Sequence, residues 1–572
     1  MYLRTTRRTN KDGTTATYYQ LAHNERNPDT GHTTARVIHN FGRDRDLDRD
    51  VLVRLCQSIA RVANLEVVDP LADPAGSAHH EQLRLPATSD CLPEGLTQHL
   101  TCPLGVTWVL DALWERLGIQ SALHTRASLG GVRQHYERAL FAMVANRLSD
   151  PTSKLGVWDR WLQRSYVPGC DGLELRQMYE AMDLLHRRCA EVEEAVFFHV
   201  ADLMNLVVDV VFFDTTTASF CIDEPDVDDD GEKGLRAMGH AKEGGWTPQV
   251  VVALAVTREG LPIRSWILPG NQSDMSAVER VRKDLRGWKL GRALFVADAG
   301  MNSAENRERL VTGGGTYILA CRAGSVAEIK KEVLSRPGRY KEIRENLHAK
   351  EVVVGEGEKR RRYIVCFNPS QKERQAMHRE GVLAELEARL AQHKNRSATA
   401  KWTAELRASR RYGRYLRVDK GGQLHIDKAA IATAARMDGK WVLITNDDTL
   451  SIEDVAQGYQ GLMVIERCFR TLKTTQIKLR PMYHWLPRRI ETHVKLCVLA
   501  LLLERYAEVQ LGRPWAWIKH ELDTLQVTEF RSDAHRFFRR NTVTPEVADM
   551  LKKLQISVPK VILGVRPLPP EA

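Results

Sequence analysis

The stretch at residues 206–220, LVVDVVFFDTTTASF, constrains the fold of this chain more than any other. Val207, Val208, Val210, Val211, Phe212 and Phe213 are β-branched or aromatic. They follow neither the 3.6-residue rhythm of an amphipathic helix nor the alternation of a half-exposed strand. A run of that kind reads as a strand buried on both faces, inside a sheet layered by helices. Asp214 then stands at the C-terminal end of the strand, where open α/β sheets hold their ligands. A turn capped by Asp214 with Thr215, Thr216 and Thr217 is the competing reading, and a single acid does not decide between them.

A chain of 572 residues with 43% hydrophobic and 27% charged residues is globular in composition and long enough for several domains. Lys and Arg number 83 against 73 Asp and Glu, a net charge of +10 that suits a polyanionic partner without requiring one. The ten cysteines lie singly between Cys56 and Cys497 with no C-x-x-C pair, which argues against a disulfide framework or a zinc knuckle. The opening MYLRTTRRTNKDG lacks the apolar core of a signal peptide, and the apolar run at 496–503 is far short of the roughly 20 residues a membrane span needs. The expectation is a soluble protein of the cytoplasm.

Along the chain, residues 15–42 alternate around NPDTG as a hairpin would, and Leu52, Leu55, Ile59 and Val62 recur at helical spacing. A small α/β module is thus expected over 1–68, a Pro- and Ala-rich linker over 69–96, and an all-helical domain over 97–204. Beyond the opening strand, PQVVVALAVT and LPIRSWILPG predict a three-stranded meander. ALFVADAGMNS adds a buried strand ending at Asp298, residues 303–311 a helix, and TYILACR a further strand. The block 325–440 changes character, with hairpins about GEGEKRRR and DKGGQLH and a charged helix from Lys372 to His393. It reads as an insertion. The interrupted core (205–324) resumes over 441–526 with WVLITND and a long helix from Ile452 to about Lys473, and a basic segment, 527–572, closes the chain.

Two strands of one sheet therefore end in acids, Asp214 and Asp298. Neighbouring carboxylates repel unless a cation lies between them, and hard oxygen donors suit Mg²⁺ or Mn²⁺. A third donor is expected on the following helix. There, Tyr459, Glu466 and Lys473 are spaced by seven and share one face to within about 20° per heptad. Glu466 sits at the edge of the stripe that contains Ile465 and Phe469.

The order strand-Asp, strand-Asp, inserted block, helix-Glu resembles the DDE transposases of bacterial insertion sequences. The helix resembles the Y-x2-R-x3-E-x6-K signature of one branch, with Tyr459, Glu466 and Lys473 in place and Leu462 where Arg is expected. FFDTTT, LPGNQSD, VADAGMNS, ITNDD, and IERCFRTLK with RPMYHWLPRRIETH are similar to this family as well. The resemblance implies an RNase H-like mixed sheet with flanking helices, interrupted by a β-containing insertion. It further implies Asp214, Asp298 and Glu466 as catalytic residues and ligands of two Mg²⁺ or Mn²⁺ ions. Tyr459 and Lys473 would contact DNA, with Arg467 and Arg470 as substitutes for the missing Arg. Its partners would be the terminal inverted repeats and target DNA, bound by a homodimer in a synaptic complex. End binding would lie in the 97–204 helices and the C-terminal segment. A metal-dependent nuclease of the same fold, which cuts without joining, is the alternative enzyme. A DNA-binding protein derived from a transposase is the non-enzymatic alternative, and it would have no need of a third acid.

Other signals are weaker. DVDDDG at 226–231 begins like a calcium loop, but Ala237 stands where a bidentate Glu is required. The stretches RASRRYGRYLR and FRSDAHRFFRR interleave Arg with aromatics, as a nucleic-acid surface or a charged hairpin edge does. Trp402 reads as core, with stacking on a displaced base as the alternative role.

Overall fold

A computed structural model of the chain describes residues 2–9, 15–26, 33–43 and 96–567, apart from 207, 223–224, 227–233, 289, 291–292, 313, 323–328, 358–359, 394–399, 420–422 and 533–534. Two compact units emerge, Met1–Cys91 and Leu92–Ala572. In the first, β1 (Tyr2–Thr9), β2 (Thr15–Arg26) and β3 (Thr33–Arg43) form an antiparallel meander. The 52–62 helix, the 69–95 linker and most of the DVDDDG loop lie outside the described residues.

The second unit opens with a strand, β4 (Thr97–Pro103), where helix was expected. Helices Gly105–Arg116, Gln134–Ser149, Leu175–His186 and Cys189–Leu203 follow. Their stripes of Leu110, Leu113 and Trp114, of Leu140, Met143 and Val144, and of Met178, Met182 and Leu185 are buried in one core.

Among the described residues the central sheet has ten strands. β5 (Val210–Ser219), β6 (Ala237–His240), β7 (Trp246–Val256) and β8 (Pro262–Pro269) come first, with β5, β7 and β8 forming the antiparallel meander expected. β9 (Leu294–Ala297) and β10 (Tyr317–Cys321) then add parallel to β5 on its other side. β11 (Lys341–Arg344), β12 (Leu347–Val354) and β13 (Arg361–Phe367) come from the block expected to be inserted, yet they extend this same sheet through β16 (Lys440–Thr445). Tyr363 and Val365 share a core with Phe213, because strands rich in β-branched and aromatic residues bury both faces in a layered sheet. The rest of the block includes helix Pro369–His393, helix Ala400–Ala408, a small hairpin of β14 (Leu416–Val418) and β15 (Leu424–Ile426), and helix Lys428–Met437. It has its own cluster of Val382, Leu386, Leu406, Tyr412 and Tyr415, against which Trp402 packs. Arg389 and Arg411 lie over the Tyr412 ring, so the interleaved arginines and tyrosines serve this local core.

One face of the sheet is covered by helix Pro487–Leu511, which is buried along most of its length. A second sheet joins β17 (Gln526–Arg531), β18 (His535–Arg540) and β19 (Ile562–Pro567) to β4, with β17 next to β4. Start and end of this unit are thereby tied together. Within that sheet Arg531 and Arg536 both pair with Glu529. Among the described residues no helix is long and apolar enough to cross a membrane.

Candidate active site

Asp214 does not end its strand: β5 runs on through Ser219, and Thr215, Thr216 and Thr217 are buried strand residues. β-Branched Thr suits a strand interior, which removes the turn-cap reading. What does end is the neighbour. β9 stops at Ala297, paired in parallel with Phe213, so the next residues on the two strands, Asp214 and Asp298, stand side by side. Adjacent strands lie about 4.8 Å apart. Side chains alternate across a sheet, and Phe212 and Val296 belong to one core cluster while Phe213 and Ala297 belong to the other. Both acids therefore project to the face lined by Phe212 and Val296.

That face carries the third acid. The long helix expected over 452–473 is broken into Ile452–Gln460 and Met463–Arg470, followed by a π turn at Thr471–Thr475. Gly461 sits at the break, and a Cβ there would come within 2.3 Å of the Phe212 ring. Glycine lets this backbone settle directly on β5, one residue pair from Asp214. Ile465, Cys468 and Phe469 bury toward the sheet, leaving Glu466 exposed at the edge of the stripe. Leu462 is buried at 6% exposure in the same core, which explains an apolar residue at the position expected to hold Arg. Arg467 and Arg470 are exposed, available to an outside partner.

Tyr459 links the acids. Its hydroxyl donates to Asp298 Oδ1 at 3.2 Å. Its phenol is held well above the ordinary tyrosine range, first by burial, then by the charge and hydrogen bond of Asp298, and further by the charges of Glu466 and Asp214. All three carboxylates thus act on one phenol. Lys473, expected to be exposed, is instead tucked in with its side chain 10% accessible; Nζ donates to Thr216 Oγ1 at 3.0 Å and pairs with Glu243 at 2.8 Å. The π turn directs it back onto β5, two residues beyond Asp214.

The turn between β6 and β7 brings in two residues that the sequence reading missed. Lys242 Nζ lies 3.4 Å from Asp214 Oδ1 and donates to the Thr215 carbonyl at 2.5 Å, while its backbone N–H donates to Thr217 Oγ1. Glu243 bridges Lys473 and Arg480, the latter at 2.5 Å. The turn thereby sets a cation against an acid of the site and an anion against its bases. Gly244 and Gly245, at φ of +100° and +92°, allow it to reverse so tightly. KEGG in the sequence marked the turn but not what it would touch.

The family profile described as Transposase DDE domain matches residues 206–503, more than half of the chain and all three acids, and the profile of the IS1634 family transposase N-terminal domain matches residues 3–69. The chain belongs to the DDE transposases of insertion sequences. It is accordingly an enzyme of DNA cleavage and strand transfer. Among solved structures it is similar to a piggyBac transposase synaptic complex with hairpin DNA, at 11% identity and a TM-score of 0.32 over 75% of this chain and 81% of that one, a likeness too slight to carry a fold argument. No functionally curated protein matches it.

DDE transposases use divalent metal ions, and the carboxylates of Asp214, Asp298 and Glu466 have the hard oxygen chemistry such ions need. Among the described residues no three His, Cys, Asp or Glu side chains are gathered at metal-holding distance. Two of the acids are instead engaged elsewhere, Asp214 with Lys242 and Asp298 with Tyr459. Like charges left close together without a cation repel, and local donors are the alternative source of compensation.

Proposed function

We propose that Asp214, Asp298 and Glu466 are the catalytic carboxylates of an RNase H-like core that nicks the ends of an insertion sequence and joins the 3′-OH ends to target DNA. The observation that carries this reading is the placement of Asp214 and Asp298 at neighbouring positions of paired strands, with Glu466 on the helix that follows the Gly461 break resting on Phe212 of β5. The strand order β8-β7-β5-β9-β10, with the first three antiparallel and the last two parallel to β5, supports the RNase H-like assignment.

Two Mg²⁺ or Mn²⁺ ions held by these carboxylates would supply a water of lowered pKa and charge stabilisation at phosphorus. The remaining work falls to the chain itself. Lys473 offers an ammonium to a backbone phosphate beside Asp214, in exchange for Glu243. Tyr459 holds Asp298 in orientation until the site is loaded. Arg467 and Arg470, exposed on the same helix, extend the basic surface along the DNA. End binding and the contacts of a homodimeric synaptic complex are assigned to the 97–204 helices and the C-terminal segment, the parts outside the carboxylate-bearing sheet, with the work done on chromosomal DNA in the cytoplasm.

The test is a nicking and strand-transfer assay on duplexes carrying the element's own terminal repeats, with Mg²⁺. Asp214→Asn, Asp298→Asn and Glu466→Gln should each abolish both steps while leaving end binding intact. Full activity in any one variant removes that residue from the site. Nicking without any joining by the unaltered protein would favour the nuclease reading.

A further inference from the structure

Behind the segment that links the Glu466 helix to helix Pro487–Leu511 lies a cavity of about 310 Å³. Its walls include Arg147, Lys154, His484, His493, Tyr179 and Tyr483, and among the described residues no Asp or Glu lines it. Lys154 and Arg147 are each only 4% exposed. Burying a cation without a carboxylate is costly, and proteins ordinarily pair such groups. Here the pairing is incomplete. Arg147 donates through Nη1 to the Lys478 carbonyl at 3.3 Å and through Nη2 to Asn146 Oδ1 at 3.5 Å, while its Nε is buried with no partner among the described residues.

His493 does not supply the missing charge. Its Nε2 faces the Leu479 carbonyl at 3.1 Å and must carry the proton, so Nδ1 is the acceptor for Lys154 Nζ at 2.7 Å. Both His493 and His484 are held neutral by burial and the nearby cations. Burial likewise pulls the Lys154 ammonium down to about 7, the response of a cation lacking its counter-ion. Of the nearby acids, Asp183 is already taken up by Arg488 and Arg489, and Asp150, whose charge acts on Arg147 from the end of the same helix, lies outside the cavity lining.

The geometry points to a phosphate-binding pocket, with Lys154 and Arg147 as its cationic floor and Tyr179 and Tyr483 at its walls. A phosphate accepts from several donors at once and brings the negative charge the pocket lacks. Tyr483 is 66% exposed, so the opening is accessible from the surface. The pocket also adjoins the active site. Arg147 and His493 bind the backbone of Lys478 and Leu479, and Arg480 shares Glu243 with Lys473. Two sources supply such a phosphate: the DNA backbone, a reading that rests on the proposed function, and a free phosphate species, which does not depend on it.

The experiment uses the full chain. Inorganic phosphate is titrated at constant ionic strength by calorimetry, and an end-bearing duplex is titrated by anisotropy over a series of salt concentrations. Lys154→Met and Arg147→Met should each weaken phosphate binding by about 10- to 100-fold, the loss of one charge-assisted hydrogen bond. Lys154→Met should melt no lower than the unaltered protein, because it removes a buried ammonium, so lost binding cannot be ascribed to misfolding. A salt slope for DNA reduced by about 1 in Lys154→Met identifies the ligand as a backbone phosphate. Unchanged DNA binding alongside lost phosphate binding identifies a free phosphate species. Failure of the unaltered chain to bind phosphate, or equal binding by both variants, overturns the proposal.

Discussion

Glu243 gives the sharpest test of how the site is held before DNA arrives. Its carboxylate, 45% exposed, spans Lys473 at 10% and Arg480 at 33% exposure, so the base that the proposed function assigns to a DNA phosphate is held in a bridge that a phosphate must displace. DNA binding must break both pairs. Ion pairs with one solvent-exposed partner are each worth only about 0.2–1 kcal/mol, so the competition amounts to about 0.4–2 kcal/mol. At about 1.4 kcal/mol per tenfold, Glu243→Gln should tighten binding of an end duplex by about 2- to 30-fold. The amide keeps the shape of the side chain and removes only its charge. Fluorescence anisotropy at fixed salt measures the change, and Lys473→Met added to the same background should cancel most of it. Binding that is unchanged or weaker in a Glu243→Gln protein with a normal melting curve would refute the exchange of Glu243 for phosphate at Lys473.

Three further outcomes are expected. Leu462→Arg, which restores the residue of the family signature, should destabilise the fold by several kcal/mol because it drives a charge into the core, comparable to about 3–5 kcal/mol for Phe469→Ala; melts in which Leu462→Arg matches the unaltered protein would mean that this position faces solvent. The Tyr459 phenol, isolated by subtracting the ultraviolet titration of Tyr459→Phe, should ionise above the ordinary value of 10.0 and move down in Asp298→Asn; titration at the ordinary value would detach it from the acids. Glu504, 2% exposed beneath the π turn, has its pKa pushed up to about 8 from 4.5 by burial and then by Glu508. The folded state keeps this proton while the unfolded chain loses it, so stability falls as pH rises from 4.5 to 8, by on the order of 4 kcal/mol for this group. Glu504→Gln, which does not titrate, should therefore gain on the unaltered protein as pH rises through that window and level off above it; denaturant melts showing a constant difference would contradict the assignment.

The strands legible in the sequence were those with one overriding cause. VVFF, VVVALAV and LFVA are continuous β-branched and aromatic runs, and burial on both faces leaves them few alternatives. Tyr459, Glu466 and Lys473 were legible because fixed spacing on one segment survives a local break. The break was not: a single Gly461 in a helical pattern reads as a mild defect, and only Phe212 beneath it shows that the backbone needs that contact. The π turn that folds Lys473 onto Thr216 was likewise hidden, and with it the burial of a residue expected in solvent.

By itself the sequence determined which residue types exist for the chemistry, and that two acids directly follow buried apolar runs while a third follows on a helix. It also determined the family those segments resemble. Tertiary structure decided what no local pattern encodes. The parallel register of Phe213 with Ala297 sets Asp214 beside Asp298, and the sheet absorbs strands from a block that looked separate. It also carries Lys242 and Glu243 from a nondescript turn into the site. Periodicity reports which face of an element is apolar, because burial acts on each residue in place. Register and ion pairing depend on which distant segment arrives opposite, and that is settled only when the whole sheet closes its hydrogen bonds.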